Sequence, residues 1–272
     1  MPAEPGQPVG TKWTVSAKLS IVLLRATTEH VRDILKRSSM TFDLARLKSE
    51  SRILEIGPGT GKATEPLARR GFAIHGIELG PSLAREARAN LKLYPEVQSN
   101  VGAFESFPLE ARAYDLIFSA TAFHWLQQPI GYQRVAEALN SGGYFAEFRH
   151  HHVWSPESDR FVRNAQDVYL QFDPDASPGF RLPLPEDVET LDEEIRVSGF
   201  FEKPEIRRYL QNIEHTPESY IELLLTFSGH IALHEPNKTN LLRGIADVIR
   251  RLPGGRVVKT HLILLHVARL KG

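Results

Sequence analysis

The chain contains no cysteine. That absence excludes disulfides, thiolate metal sites and a cysteine nucleophile, and it suits a reducing, cytoplasmic setting. Net charge is absent too, with 33 Lys and Arg balanced by 33 Asp and Glu. Without a cationic surplus or a basic cluster, neither nucleic acid nor a membrane surface is an expected partner. No apolar stretch is long enough to span a bilayer, and the proline-containing N-terminus lacks the apolar core of a secretory signal. Several motifs are missing as well. The sequence has no G-x-S-x-G elbow, which disfavours a serine hydrolase. It has no G-x-x-x-x-G-K followed by Ser or Thr, which disfavours a kinase or ATPase. The dinucleotide fingerprint G-x-G-x-x-G fails because Lys62 stands where its third glycine would be, so an NAD-dependent reductase is a distant reading.

What is present is ordinary globular material: 272 residues, 42% hydrophobic and 24% charged. That length can bury a full core, as one large domain or as a core with a lid. There is no internal repeat or low-complexity segment. Residues 50–150 alternate short apolar strands, at 52–57, 73–79, 97–103, 114–120 and 143–149, with helices at about 61–70, 81–93 and 129–140. This pattern implies a parallel sheet with helices on both faces. Before it, residues 1–12 are expected to be disordered, and Val15–Arg25 and Glu29–Arg37 read as amphipathic helices. After it, prolines at 156, 174, 178, 183 and 185 alternate with Phe161, Tyr169, Phe172 and Phe180. That stretch reads as a mainly helical lid whose aromatics either line a pocket or form the lid's own core. Ser155-Pro156-Glu157 and Thr216-Pro217-Glu218 read as helix starts. A strand is expected at 205–214, a helix from about Lys238 to Leu252, and a last strand at Val257–Leu270. The organisation expected is residues 13–150 as N-terminal helices and nucleotide-binding core, 151–253 as lid with a sixth strand and late helices, and 254–272 as the strand that completes the sheet.

Chemistry enters at Ile53-Leu54-Glu55-Ile56-Gly57-Pro58-Gly59-Thr60-Gly61. An apolar strand runs into a glycine turn and then into a helix. The glycines lack a Cβ, so a ligand can lie against bare backbone, and exposed amides at the helix start favour a polar group. Glu78 ends the next strand, about twenty residues on, where nucleotide-binding βαβ units place a ribose ligand. One carboxylate can accept from both ribose hydroxyls.

The order E-x-G-x-G-x-G resembles the first motif of class I S-adenosylmethionine-dependent methyltransferases. Further landmarks follow in family order. Gly102-Ala103-Phe104-Glu105 resembles the end of the third strand, Tyr114 to Ala120 the fourth strand, Phe123-His124-Trp125-Leu126 the segment after it, and Leu139-Asn140-Ser141-Gly142-Gly143 the turn into the fifth. The nearest resemblance is to the type 11 methyltransferase domain and its small-molecule branch, which includes trans-aconitate methyltransferase. The resemblance implies a Rossmann-like, doubly wound, seven-stranded α/β sheet, mostly parallel, with an antiparallel C-terminal strand beside the fifth. It implies S-adenosylmethionine as cofactor. Glu55 lies beside the cofactor's amino-acid moiety, and Gly57, Pro58, Gly59, Thr60 and Gly61 form the loop near its ribose. Glu78 and Leu79 end the second strand. Ala103, Phe104 and Glu105 adjoin the adenine, and Ser119 and Ala120 lie under the cofactor. Two departures stand out. Many relatives carry Asp where Ala103 stands, so adenine recognition falls to backbone near Ala103 and Phe104, with Glu105 as a substitute. The tyrosine-rich N-terminal segment of the trans-aconitate branch is not recognisable in residues 11–45.

Methyl transfer from a sulfonium is an in-line displacement on an already activated methyl, so positioning carries most of the catalysis. A general base helps when the acceptor must lose a proton. His124 follows the fourth strand at the carboxyl edge and is the leading base candidate, with Trp125 beside it to stack on adenine or shape the pocket. His150 and His151, after the fifth strand, are further base candidates, and Glu147 is a weaker one. His150 and His152 share a strand face and His151 does not, but a metal site needs further ligands, so no metal is expected. His230 and His234 read as surface residues. The function expected is methylation of a small molecule at O, N or C. The alternatives are a non-methylating reaction such as cyclisation on the same fold, and a non-catalytic binding protein. The sequence leaves the acceptor and the oligomeric state open.

Overall fold

A computed structural model describes residues 31–35, 47–225 and 227–272, apart from the side chain of Ser228. The expected disorder at 1–12 and the helix at Val15–Arg25 lie outside these residues. Of the second N-terminal helix, residues 31–35 are described and are helical.

Seven strands form one sheet: β1 (Arg52–Ile56), β2 (Ala73–Glu78), β3 (Val97–Val101), β4 (Tyr114–Ala120), β5 (Leu139–Val153), β6 (Glu205–His215) and β7 (Val257–Arg269). Their order is β3-β2-β1-β4-β5-β7-β6. β1 to β5 pair in parallel, and β7 lies antiparallel between β5 and β6. From β1 the chain winds outward through β2 and β3, then returns to β4 on the other side. The carboxyl ends of β1 and β4 therefore flank the switch point where open α/β sheets bind ligands.

Both sheet faces are covered over the central strands β1 and β4, which are mostly apolar, whereas the edge strand β3 is polar and only partly buried. On one face, helix α1 (Thr64–Ala68) and the helical residues 31–35 pack Leu67, Val31 and Leu35 onto Ile53, Leu116, Phe118 and Phe148. Helix α2 (Pro81–Asn90) follows β2. On the other face, α3 (Ile130–Ala138) and α5 (Asp192–Val197) pack Tyr132, Val135 and Ile195 onto Leu54, Ile117 and Phe145. Each such side chain, fully buried, contributes about 1.5–3 kcal/mol of transfer free energy. A third cluster joins α4 (Pro156–Phe172), α6 (Pro217–Leu224) and α8 (Asn237–Arg250), with the short α7 (Ser228–Ala232) between the last two. Phe161 lies in this helical core, with Tyr169 and Phe172 packed against it, whereas Phe180 is exposed.

β3 ends at Val101 and α2 at Asn90, each short of the expected 103 and 93, and two further elements differ in ways that shape the site. The first helix starts at Thr64 rather than Gly61, because Gly61 has φ +85° and cannot lie in a right-handed helix. The fifth strand runs from 139 to 153 rather than from 143 to 149. β7 is 13 residues long and pairs with the C-terminal extension as far as Val153 opposite Thr260, while Leu139 at the other end pairs with Tyr114 of β4. β7 supplies ladder hydrogen bonds to the polar Arg149–His152 run.

The long helix α4 begins as its sequence implies. Ser155 accepts from the Ser158 N–H, Ser158 closes a capping box onto the Ser155 N–H, and Pro156 occupies the first turn. Ser155→Ala should lower unfolding free energy by about 0.5–2 kcal/mol in urea titrations, while Ser155→Gly costs only a few tenths. An alanine variant as stable as the parent would show that the cap does not hold this helix.

Candidate functional site

The turn after β1 is built by backbone geometry. Gly57, Gly59 and Gly61 have φ of +68°, +59° and +85°, a region that L side chains rarely adopt. A Cβ on Gly57 would lie 2.5 Å from the Cβ of Ala122, and one on Gly61 would lie 2.7 Å from Leu91 Cδ1. At these two positions, protein packing accounts for the glycine. The expectation of free amides also changes. Gly57 N–H donates to the Ile77 carbonyl at 2.9 Å, Gly59 N–H to Glu78 Oε2 at 2.9 Å, and Gly61 N–H to the Pro58 carbonyl at 2.9 Å. The turn amides thus hold the turn itself, and Asn90 Nδ2 fixes it from α2 by donating to the Thr60 carbonyl at 2.9 Å. Pro58 and Thr60 are buried within it.

Two carboxylates border this turn. Glu55 is fully buried on β1. Its Oε2 accepts from the Thr64 hydroxyl at 2.6 Å, while its Oε1 is buried with no hydrogen-bond partner. Burial pushes the Glu55 carboxyl up to about 8; the Thr64 hydroxyl opposes this, and the charge of Glu78 adds to it. Glu78, at the end of β2, is also buried. Its two oxygens accept from Gly59 N–H and from Gly80 N–H, the latter at 2.8 Å. Burial raises its pKa, and the amides of Gly80, Gly59 and Leu79 counter that rise. A carboxylate offers about four acceptor positions, so Glu78 retains capacity beyond these amides.

The remaining expected contacts spread along the strand ends. Leu79 is 56% exposed. Ala103 is half-buried, Phe104 is part of the core, and Glu105 accepts from the Gln127 N–H at 3.2 Å. Because the Phe104 side chain packs inward, any contact it makes with a bound base comes from its backbone. The Ser119 hydroxyl donates to the Ile56 carbonyl at 3.1 Å, tying the ends of β4 and β1, and Ala120 is buried. Thr121 follows at φ +63°, which is strained for a β-branched residue.

The three candidate bases do not form one constellation. Alternation along β5 puts Glu147, Arg149 and His151 on one face and His150 and His152 on the other. His124 belongs with the first group. It is exposed at its outer edge, its ring lies 4.9 Å from the Trp125 ring, and Trp125 is itself 61% exposed. Partial burial, then the charges of Arg149 and His151, depress the His124 pKa; solvent at the exposed edge screens these effects. The imidazole is therefore neutral near pH 7. Glu147 lies in the interior, where its Oε1 accepts from Arg149 Nε at 2.8 Å and burial pushes its pKa up to about 7. Its position is that of a buried ion-pair network, which Glu194 and the Tyr132 hydroxyl extend. His230 shares a 2.8 Å hydrogen bond with the Tyr169 hydroxyl, so it is no free surface residue.

The residues fit the cofactor that the motif implies. An orphaned, buried carboxylate oxygen on Glu55 suits an ammonium, which would supply both the missing donor and the countercharge. The spare acceptor capacity of Glu78 suits a ribose diol. Sequence reasoning missed three contributors. Thr64 orients Glu55, Asn90 anchors the turn, and Thr121 bends the end of β4. Thr64 and Asn90 carry the right donors but no distinguishing spacing, and nothing in a threonine signals a positive φ.

Comparisons with known proteins point to methyltransferases. A family model described as a methyltransferase domain matches residues 53–143. An uncharacterized methyltransferase of Mycobacterium tuberculosis (strain H37Rv) is 27% identical over 205 residues, 74% of each chain. The uncharacterized methyltransferase YrrT of Bacillus subtilis is 33% identical over 143 residues, 53% of this chain and 62% of that one. The crystal structure of the YcgJ protein of Bacillus subtilis aligns with 89% of this chain and 99% of its own at a TM-score of 0.53, and at 15% identity it shows a shared fold. The trans-aconitate branch is not singled out by these matches.

Glu55→Gln keeps the size of the side chain and an acceptor for Thr64 while removing the buried charge. The folded pKa near 8 lies above the ordinary 4.5. The stability contributed by the protonated form is therefore complete below about pH 4.5 and lost as pH rises through about 8. In cofactor-free protein, parent and variant should melt together at pH 5, and the variant should be the more stable by pH 8. Melting curves that coincide at both pH values would remove the raised pKa from this account.

Proposed function

We propose that this chain, whose residues 53–143 match a methyltransferase domain, is a class I S-adenosylmethionine-dependent methyltransferase whose acceptor is a small molecule methylated at oxygen, nitrogen or carbon. The observation that carries this reading is the buried carboxylate pair around the glycine turn, with Glu55 Oε1 lacking a donor. In this reading Glu55, oriented by Thr64, accepts from the cofactor's amino group. Glu78 accepts from the ribose hydroxyls, and the turn from Gly57 to Gly61 lies along the sugar. Backbone near Ala103 and Phe104 meets the adenine, with Glu105 and Trp125 at the rim and Ser119 and Ala120 beneath. The bound cofactor supplies an electrophilic methyl on a sulfonium.

The protein's task is then to align an acceptor atom with that methyl and to exclude water. Orientation of this kind is worth roughly 7–11 kcal/mol at its upper end. His124 stands at the carboxyl edge of β4 and takes the proton of an acceptor that must lose one. Its depressed pKa keeps it neutral, and so able to accept, at pH 7. The helical cluster within 151–253 covers the acceptor, and 254–272 completes the sheet. Zero net charge supports a small-molecule partner over nucleic acid, and the cysteine-free composition supports a cytoplasmic setting. Among the described residues no helix is long and apolar enough to cross a membrane.

The test is product stoichiometry. The full chain is incubated with S-adenosylmethionine and a panel of phenols, carboxylic acids, amines and enolisable ketones. S-adenosylhomocysteine and methylated product are expected in equal amounts; a converted substrate without S-adenosylhomocysteine would point to a non-methylating reaction instead. Glu78→Ala should weaken S-adenosylhomocysteine binding about tenfold or more, since a hydrogen bond to a charged group contributes about 1.5–3 kcal/mol. An unchanged dissociation constant in a folded variant would withdraw the ribose role from Glu78.

A further inference from the structure

We propose that His150, His152 and His261 form a binding site for a divalent transition-metal ion, zinc being the best match. The site follows from strand geometry. Residues two apart on β5 point the same way, so His150 and His152 share a face. β7 pairs antiparallel with β5 and sets His261 directly opposite His152, with Ile263 opposite His150. Directly opposed residues project from the same face of the sheet, so the third imidazole joins the first two. The ring centroids are 4.9 Å apart for His150 and His152, 4.8 Å for His150 and His261, and 4.9 Å for His152 and His261.

One ring nitrogen from each residue lies within 4.8 Å of the other two, and His150 Nε2 is 2.6 Å from His261 Nδ1. Tetrahedral zinc, with Zn–N bonds of about 2.0–2.1 Å, sets its ligand nitrogens roughly 3.3–3.4 Å apart. The 2.6 Å pair is closer than that value and every pair lies within 4.8 Å, so rotations of the rings bring three nitrogens onto one ion. The donor set consists of three imidazoles, with no carboxylate in the cluster and no thiolate anywhere in the chain. Imidazole sets of this kind take Zn²⁺, Co²⁺, Ni²⁺ or Cu²⁺ in preference to Mg²⁺ or Ca²⁺. His261 is buried and holds its ring in place, while His150 and His152 are half-buried, and the Phe227 ring lies edge-on to His152 at 5.7 Å. Three protein ligands leave a fourth position for water or another small ligand.

This site lies on the opposite face of β5 from His151 and does not depend on the methyl-transfer reading. Its effect on the protein is to pin the extension of β5 to β7. A ligand that binds only the folded chain also raises its thermal stability by mass action.

The experiment uses the full chain, free of any histidine tag and stripped with a chelator, titrated with Zn²⁺ by calorimetry and followed by thermal melting. One equivalent of Zn²⁺ should bind with a rise in Tm, and Co²⁺ should give the visible spectrum of a tetrahedral site. His150→Gln and His152→Gln, both at half-buried positions, should each weaken Zn²⁺ binding tenfold or more, whereas His230→Ala should not. Zn²⁺ binding of equal strength in the parent and in the His150→Gln, His152→Gln double variant would overturn the proposal. So would a parent chain that shows neither one bound equivalent nor a tetrahedral Co²⁺ spectrum, whatever the variants do.

Discussion

Two carboxylates are held out of water at neighbouring strand ends, and the local structure is arranged around that constraint. Burial disfavours the charge of both Glu55 and Glu78, and the charge of Glu78 pushes the Glu55 carboxyl further up. Glu78 is partly satisfied by the amides of Gly59 and Gly80. The same turn has positive φ at three glycines and leaves no room for a Cβ at Gly57, beside Ala122, or at Gly61, beside Leu91. Glu55 receives only the Thr64 hydroxyl. The turn and the acids therefore define each other, and one acceptor remains unfilled. A buried acceptor in this condition lowers the stability of the empty protein, a common exchange between stability and function.

The second organising feature is β7. Its insertion between β5 and β6 lengthens β5 to Val153, beyond the end of β4 at Ala120. The extension sends side chains alternately to two environments. Arg149 and His151 join His124 and the buried Glu147 network on one face, while His150 and His152 meet His261 on the other. Histidines adjacent in sequence thus serve different surroundings, and the strand that closes the sheet supplies the ring that completes the trio.

Much of the frame was legible from residues alone. β1, β2 and β4 read as strands because their residues are mostly buried and mostly apolar over a short span. The helix starts at Ser155 and Thr216 were legible because cap, proline and acid form a local code, and both close as capping boxes. Glu78 was singled out by its spacing from the glycines and Glu55 by the resemblance of the motif, and both lie buried beside the turn. The illegible parts depend on partners distant in sequence. The extension of β5 to Val153 and the meeting of His152 with His261 are set by β7, more than a hundred residues later. The roles of Gly57 and Gly61 depend on Ala122 and Leu91, which are neighbours only in the fold. Thr121 shows the limit of composition: its positive φ is imposed by the chain around it and contradicts its own preference.

The most direct measurement is the proton balance of cofactor binding. Calorimetry of S-adenosylmethionine binding at pH 6.5, repeated in buffers of different ionisation enthalpy, counts protons released or taken up. At that pH the free α-amino group, with an ordinary pKa of about 7.7–8.0, is already charged, whereas Glu55, pushed up to about 8, is protonated in the empty site. If an ammonium docks against Glu55 and ionises it, the parent should release a proton on binding that Glu55→Gln does not release. Tight binding with the same proton balance in parent and variant would contradict the central claim that Glu55 receives the cofactor's amino group.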